Sequence, residues 1–285
     1  MISEPRMGRI TQGTIFCGGY AEDYSGLPVW GLIITARCDT THEKTPIVNY
    51  LPVVKIEDWL FGHGGILSID RETAEVSNRF KNLLAKRQLS GSLLDVHPPD
   101  EIAKLHFSMP AQLGNQKAQK EARDAEVAIE TASHLNRLQH CLASPLPNRD
   151  AVQAALTGCR KSVETVVKDL ITHKLAGYYF LPTLGGLTEM PSTKGYVVLL
   201  REVHHVPRQG VSQLVKGISR DAAVATQMRG LCFDCFDFVC PVAELTSPWT
   251  EHLMQSFCNL FGRIGLADID KQVMSQILGD MTFTE

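Results

Sequence analysis

One run constrains this chain more than any other. Val29 to Cys38 reads Val-Trp-Gly-Leu-Ile-Ile-Thr-Ala-Arg-Cys, with Leu27-Pro28 before it and Asp39-Thr40 after it. An amphipathic helix would break such a run with polar residues every third or fourth place, and a half-exposed strand would break it at every second. A continuous apolar, β-branched run between turn formers predicts a strand buried on both faces. A strand of that kind needs a layer of structure packed on each side of its sheet. With 285 residues, 44% of them hydrophobic, the chain has the material for both layers.

Two further strands flank this one. Ile10 to Cys17 ends at Gly18-Gly19, and Val48 to Ile56 carries Pro52 inside it. Proline lacks the N–H that a ladder uses, so the third strand is expected at an edge or bulged. Glu57 to Phe61 reads as a short helical turn before the glycine loop Gly62-His63-Gly64-Gly65, whose histidine has no visible partner. From Glu72 the period changes to that of helices. Glu72–Lys86, a start at Pro98-Pro99, Gln112–Leu142, and Arg149–His173 with Asn148 as N-cap are the expected elements. Strands return at Tyr178–Pro182, Gly195–Val206 and Cys232–Val242. Ser247-Pro248 then opens a helix ending near Gly265, and a last short helix covers Asp268–Leu278. The fold class is α+β in three segments. Residues 1–70 form a small barrel-like β module, 71–176 a helical hairpin or bundle insert, and 177–285 a second β segment whose C-terminal helices pack on the barrel.

The charge balance is near neutral, 28 Lys and Arg against 31 Asp and Glu. Dedicated nucleic-acid binders carry a cationic excess, because neutralising phosphates supplies much of their affinity, so nucleic acid is not expected as the main direct ligand. No apolar run reaches the length of a membrane span, no secretory leader is visible, and the 8 cysteines are scattered, which together predict a cytoplasmic protein with reduced thiols. Phosphate-loop, dinucleotide, zinc-protease and serine-hydrolase motifs are all absent, and no cofactor is expected.

Three groups of residues have the chemistry for a site. Arg37, Cys38, Asp39 and His42 lie where the buried strand exits, so Arg37, Asp39 and His42 are candidate catalytic residues, with Cys38 paired to His42 and oriented by Asp39. The competing reading makes Cys38 a core residue and Asp39 a turn cap neutralised by Arg37. Cys232, Cys235 and Cys240 have the spacing of zinc ligands without a second knuckle, and burial as small apolar residues competes with ligation. Strand alternation separates His204 from His205 and Arg201 from Glu202, which splits that dyad.

The segment Ile10-Thr11-Gln12-Gly13-Thr14-Ile15-Phe16, followed by Trp30–Thr35 and Tyr50-Leu51-Pro52-Val53, resembles the start of the PemK/MazF-like barrel family. The resemblance implies a small barrel and ribonuclease activity. Where that family carries its catalytic arginine and Ser/Thr, this chain has Val29-Trp30 and Val53-Val54-Lys55. The layout as a whole looks like uncharacterised bacterial proteins of defence or mobile-element loci, through Ile33–Asp39, Val197–Glu202, Ser247–Leu253 and Gly262–Leu266. From these features the leading expectation is a non-catalytic subunit of a bacterial multi-protein complex, such as one of anti-phage defence, with partners encoded nearby or a second copy of itself. The alternatives are a PemK/MazF-like ribonuclease or other hydrolase using the Arg37, Asp39 and His42 loop, and a small-ligand or nucleic-acid sensor.

Overall fold

A computed structural model describes residues 1–6, 8–41, 45–107, 116–143, 148–185, 194–225 and 229–261. The strands are β1 (Ile2–Ser3), β2 (Thr14–Cys17), β3 (Trp30–Ile33), β4 (Ile47–Lys55), β5 (Tyr178–Leu181), β6 (Tyr196–Leu199), β7 (His204–Pro207), β8 (Ile218–Ser219), β9 (Phe238–Val239) and β10 (Pro241–Leu245). The helices are α1 (Arg37–Thr41), α2 (Ile56–Leu60), α3 (His63–Lys86), α4 (Pro99–His106), α5 (Gln116–Ala143), α6 (Arg149–Leu156), α7 (Arg160–Ile171), α8 (Arg208–Leu214), α9 (Arg220–Ala225) and α10 (Trp249–Phe261). The fold is α+β. One curled antiparallel sheet, a half-barrel, runs β1-β10-β2-β3-β4-β6-β5, with β7 also paired to β4. Its strands come from both ends of the described chain, so the opening segment and the segment after the helices share one sheet.

The β3 run is buried on both faces, as its composition requires. Trp30 and Leu32 join a core with Ile15, Leu51, Val53, Tyr179, Val198 and Leu253 of α10. Ile33 faces the other way, against Phe16, Tyr50, Val206 and Leu214 of α8. Further along that second face, Val54, Val197 and Leu199 pack on Trp59 of α2 and on Val166 and Leu170 of α7. The strand stops at Ile33, earlier than the apolar run suggests, because Arg37 to Thr41 turn into α1.

Pro52 explains a break in the ladder. β4 lies inside the sheet, and its outer side is shared by two strands. Val53 pairs with Val198 of β6, and Tyr50 pairs with His204 of β7, so Leu51 and Pro52 face the longer stretch from Leu199 to Val203. Ile34 donates its N–H to Asn49 O at 3.0 Å. Alternation from that pair turns the backbone groups of Pro52 away from β3, toward the interruption. A residue with no N–H stands where no donor is needed, so β4 is neither at an edge nor bulged, contrary to the expectation from Pro52, and the irregularity lies between its two partner strands.

The helices α3 to α6 enclose a separate core of Val76, Phe80, Leu84, Ile102, Leu135, Leu138 and Val152. Buried Ala125, Ala128 and Ala132 on α5 let its backbone approach α3 closely. Gly62–Gly65, expected as a loop, instead begins α3. A Cβ on Gly65 would sit 2.5 Å from Leu60 O, so the small residues serve the packing of a helix start. Asn148 caps α6 as expected, its Oδ1 accepting the N–H of Ala151 at 2.7 Å. The predicted single helix Arg149–His173 is two, broken at Gly158, whose φ of +93° no helix allows. The expected strand Cys232–Val242 begins only at Phe238. The helix Asp268–Leu278 and the stop at Gly265 lie outside the described residues. No helix among the described residues is long and apolar enough to cross a membrane.

Candidate functional site

The exit of β3 delivers the candidate loop as helix α1. Arg37 reaches Glu251 of α10, N to O 3.6 Å, in a half-exposed ion pair. Cys38 is exposed rather than a continuation of the core, because the chain has already left the sheet, and its Sγ lies 3.5 Å from Asp39 Oδ1. Asp39 sits inside the helix, its N–H bonded to Ala36 O at 3.1 Å, so it does not cap a following turn. His42 lies outside the described residues.

Asp39 does open onto a cavity. A cleft of about 600 Å³ is lined by Gly8 to Thr11, Asp39, Thr40, Thr45, Val48, and the α8 side from Arg208 to Lys216. Its floor is apolar, with Ile10 and Val48 from the sheet side, Val211 of α8 and Val215 just after it. The N–H of Arg208 donates to Pro46 O at 3.0 Å, fixing the start of α8 against the start of β4. Among the described residues, three cations, Arg9, Arg208 and Lys216, share the lining with one carboxylate, that of Asp39. Arg9 and Lys216 are exposed and make no ion pair with any described residue. Nothing in the sequence marks this cleft, since its walls come from three distant segments.

A second polar cluster surrounds the 3-10 turn Glu22–Tyr24. One Glu202 oxygen accepts the N–H of Glu22 at 2.8 Å and meets His204 Nε2 at 2.6 Å. On the other side of the turn His63 Nε2 lies 3.0 Å from Asp23 Oδ2 and its Nδ1 3.3 Å from Tyr24 Oη. His63, which looked partnerless in the sequence, therefore ties the turn to the start of α3. Tyr50 Oη accepts the N–H of Tyr20 at 3.1 Å and donates to Gly230 O at 2.8 Å. Burial pushes the phenols of Tyr24 and Tyr50 well above their ordinary range, and the Glu202 charge adds to the rise at both. Both carboxylate–imidazole pairs are thus committed to holding the turn. Glu202 and His204 stand on one side of the chain, where strand alternation places them, and meet there.

The cysteines take separate partners. Cys235 Sγ lies 3.3 Å from Gly26 O, whereas Cys240 faces Cys17. Among the described residues no three His, Cys, Asp or Glu side chains are grouped to hold a metal ion.

No family model, no curated protein and no solved structure matches the chain.

Proposed function

We propose that this protein is a binding module that takes up a small phosphate-bearing ligand of the nucleotide class in the cleft between residues 8–11, α1 and α8. The observation that carries the reading is the pair of cations, Arg9 and Lys216, without an ion-pair partner among the described residues, on the lining of an open cleft of about 600 Å³. Ligand sites have volumes of this order, roughly 300 to 1,000 Å³. Unpaired cations there favour an anion without first having to break an ion pair. The apolar floor suits an organic body attached to the phosphate. Titration calorimetry with a panel of mononucleotides, using inorganic phosphate as control, tests this. We expect saturable binding that weakens with salt. The double variant Arg9→Ala, Lys216→Ala is expected to bind at least tenfold more weakly at an unchanged melting temperature. Binding that ignores that double substitution, or no binding by any nucleotide, rejects the reading.

Asp39 in the same cleft favours a second reading, hydrolysis of the bound ligand, with the carboxylate activating water. Asp39→Asn would then abolish turnover and spare binding.

The helical unit supports a contact role beside the cleft, as a subunit of a bacterial anti-phage assembly with partners encoded nearby. Val96 and Leu105 are more than 70% exposed there, and Val127 and Ile129 of α5 are also exposed. Co-purification with the products of adjoining genes tests that role, and an unaltered monomer with every one of them counts against it. A cytoplasmic site of action agrees with the eight free thiols.

A further inference from the structure

Cys17 closes β2 and Cys240 immediately precedes β10. The register of that antiparallel pair sets Pro241 opposite Phe16, which brings Cys240 opposite Cys17. The backbone confirms the juxtaposition: Cys17 N–H donates to Cys240 O at 3.1 Å, and Cys240 N–H points to Cys17 Sγ at 3.4 Å. Directly opposed residues of an antiparallel pair have Cα atoms about 4.5 to 5.5 Å apart, inside the range a disulfide spans. The two thiols differ in access. Cys17 is buried, 5% exposed, while Cys240 is only half-buried.

We infer that Cys17 and Cys240 form a reversible thiol–disulfide site, in which Cys240 is the attacking thiol and Cys17 the resolving one. The oxidant is a small disulfide of the glutathione class. The Cys240 thiolate attacks one sulfur of the oxidant, forming a mixed disulfide and expelling one thiolate, which takes up the proton that Cys240 released. Cys17 then gives up its proton, attacks the Cys240 sulfur and expels the second thiolate, which takes that proton. Two protein thiols lose two electrons, and one small disulfide becomes two small thiols. The neighbouring Cys17 side chain pulls the Cys240 pKa down to about 7, while that of Cys17 is pushed up. The accessible sulfur is thereby the better nucleophile at neutral pH. The other six thiols include three exposed ones, Cys38, Cys235 and Cys258, for which no partner thiol stands among the described residues, and these serve as internal references.

Oxidised glutathione is added to the intact reduced chain at neutral pH, and the product is digested without reduction and read by mass spectrometry. The expected product has lost two hydrogens and yields a Cys17–Cys240 cross-linked peptide, reversed by dithiothreitol. Cys17→Ser is expected to stop at glutathione bound to Cys240. Cys240→Ser, at the half-buried position, is expected to leave Cys17 unmodified. Iodoacetamide should label Cys240 faster than Cys235 between pH 6.5 and 7.5 (roughly the window such a thiol titrates in). A cross-link from Cys240 to Cys232 or Cys235, glutathione retained on Cys240 of the unaltered chain, or Cys17 labelling in the Cys240→Ser chain would each overturn the inference.

Discussion

Gly31 stands in the middle of the most buried strand, and its replacement by alanine is the sharpest test of how the sheet is packed. A Cβ built there would lie 2.5 Å from a ring carbon of Phe16 and 2.8 Å from Tyr50 Cδ2. Ordinary van der Waals contact begins near 3.4 Å, so the Phe16 ring would have to retreat by close to 1 Å. Neither ring has room to do so. Phe16 is fully buried, and it meets Tyr50 edge-on at a centroid distance of 5.1 Å. Tyr50 is in turn anchored through its hydroxyl by Tyr20 and Gly230. Overpacking a core costs about 1 to 3 kcal/mol, and with both neighbours held the upper end applies, about 3 kcal/mol. For a chain of this size that lowers the melting temperature by about 6 to 12 °C in calorimetry or urea titration. Phe16→Leu removes the ring edge, so the double variant should recover at least about 1 kcal/mol relative to additivity. A Gly31→Ala protein within about 0.5 kcal/mol of the parent would refute the close approach of Phe16 and Tyr50 and the packing built on it.

Asn148→Ala removes the side chain that accepts the Ala151 N–H and is expected to cost about 1 kcal/mol, whereas Asn148→Asp, which keeps an acceptor, should be near neutral in the same urea titration. His173 lies stacked on Tyr179 at 4.2 Å, with burial first and the neighbouring His252 second lowering its pKa from 6.5. His134 is shifted the same way, chiefly by burial. A depressed imidazole binds more protons unfolded than folded, so stability is full above pH 7 and declines as pH falls through about 6.5. Melting temperature against pH should show that decline, and His173→Asn, which tolerates the positive φ at this position, should flatten it. An unchanged slope in that variant would remove His173 from the account. Gly158→Ala, forcing a side chain into φ +93°, is expected to destabilise the α6–α7 junction by about 1 kcal/mol or more.

Much of the fold could be read from local pattern. The buried β3 run, the turn α2, the capped start of α6 and the helical texture of the middle segment all depend on near neighbours in sequence, and period and capping report those directly. Boundaries were less legible where a few residues compete. Apolar character carries through Ile34 to Cys38, but Arg37 to Thr41 close into α1, which leaves Cys38 in solvent and Asp39 facing the cleft. The Gly62–Gly65 stretch carried a loop signal, yet its glycines are needed by the close approach of Leu60 O and Trp59 to a helix start.

By itself, the sequence determined that β3 must be covered on both sides and that Pro52 must stand where its strand has no donor to give. Tertiary structure alone decided what covers β3: α10 on one face and α8 on the other. It also decided that the gap beside Pro52 is filled by the bend between β6 and β7, and that Glu202 meets the N–H of Glu22. The cleft with Arg9, Asp39, Arg208 and Lys216, and the meeting of Cys17 with Cys240, belong to the same class. Each joins segments remote in the chain, and the register that joins them is set by sheet pairing and burial, to which a local window of sequence has no access.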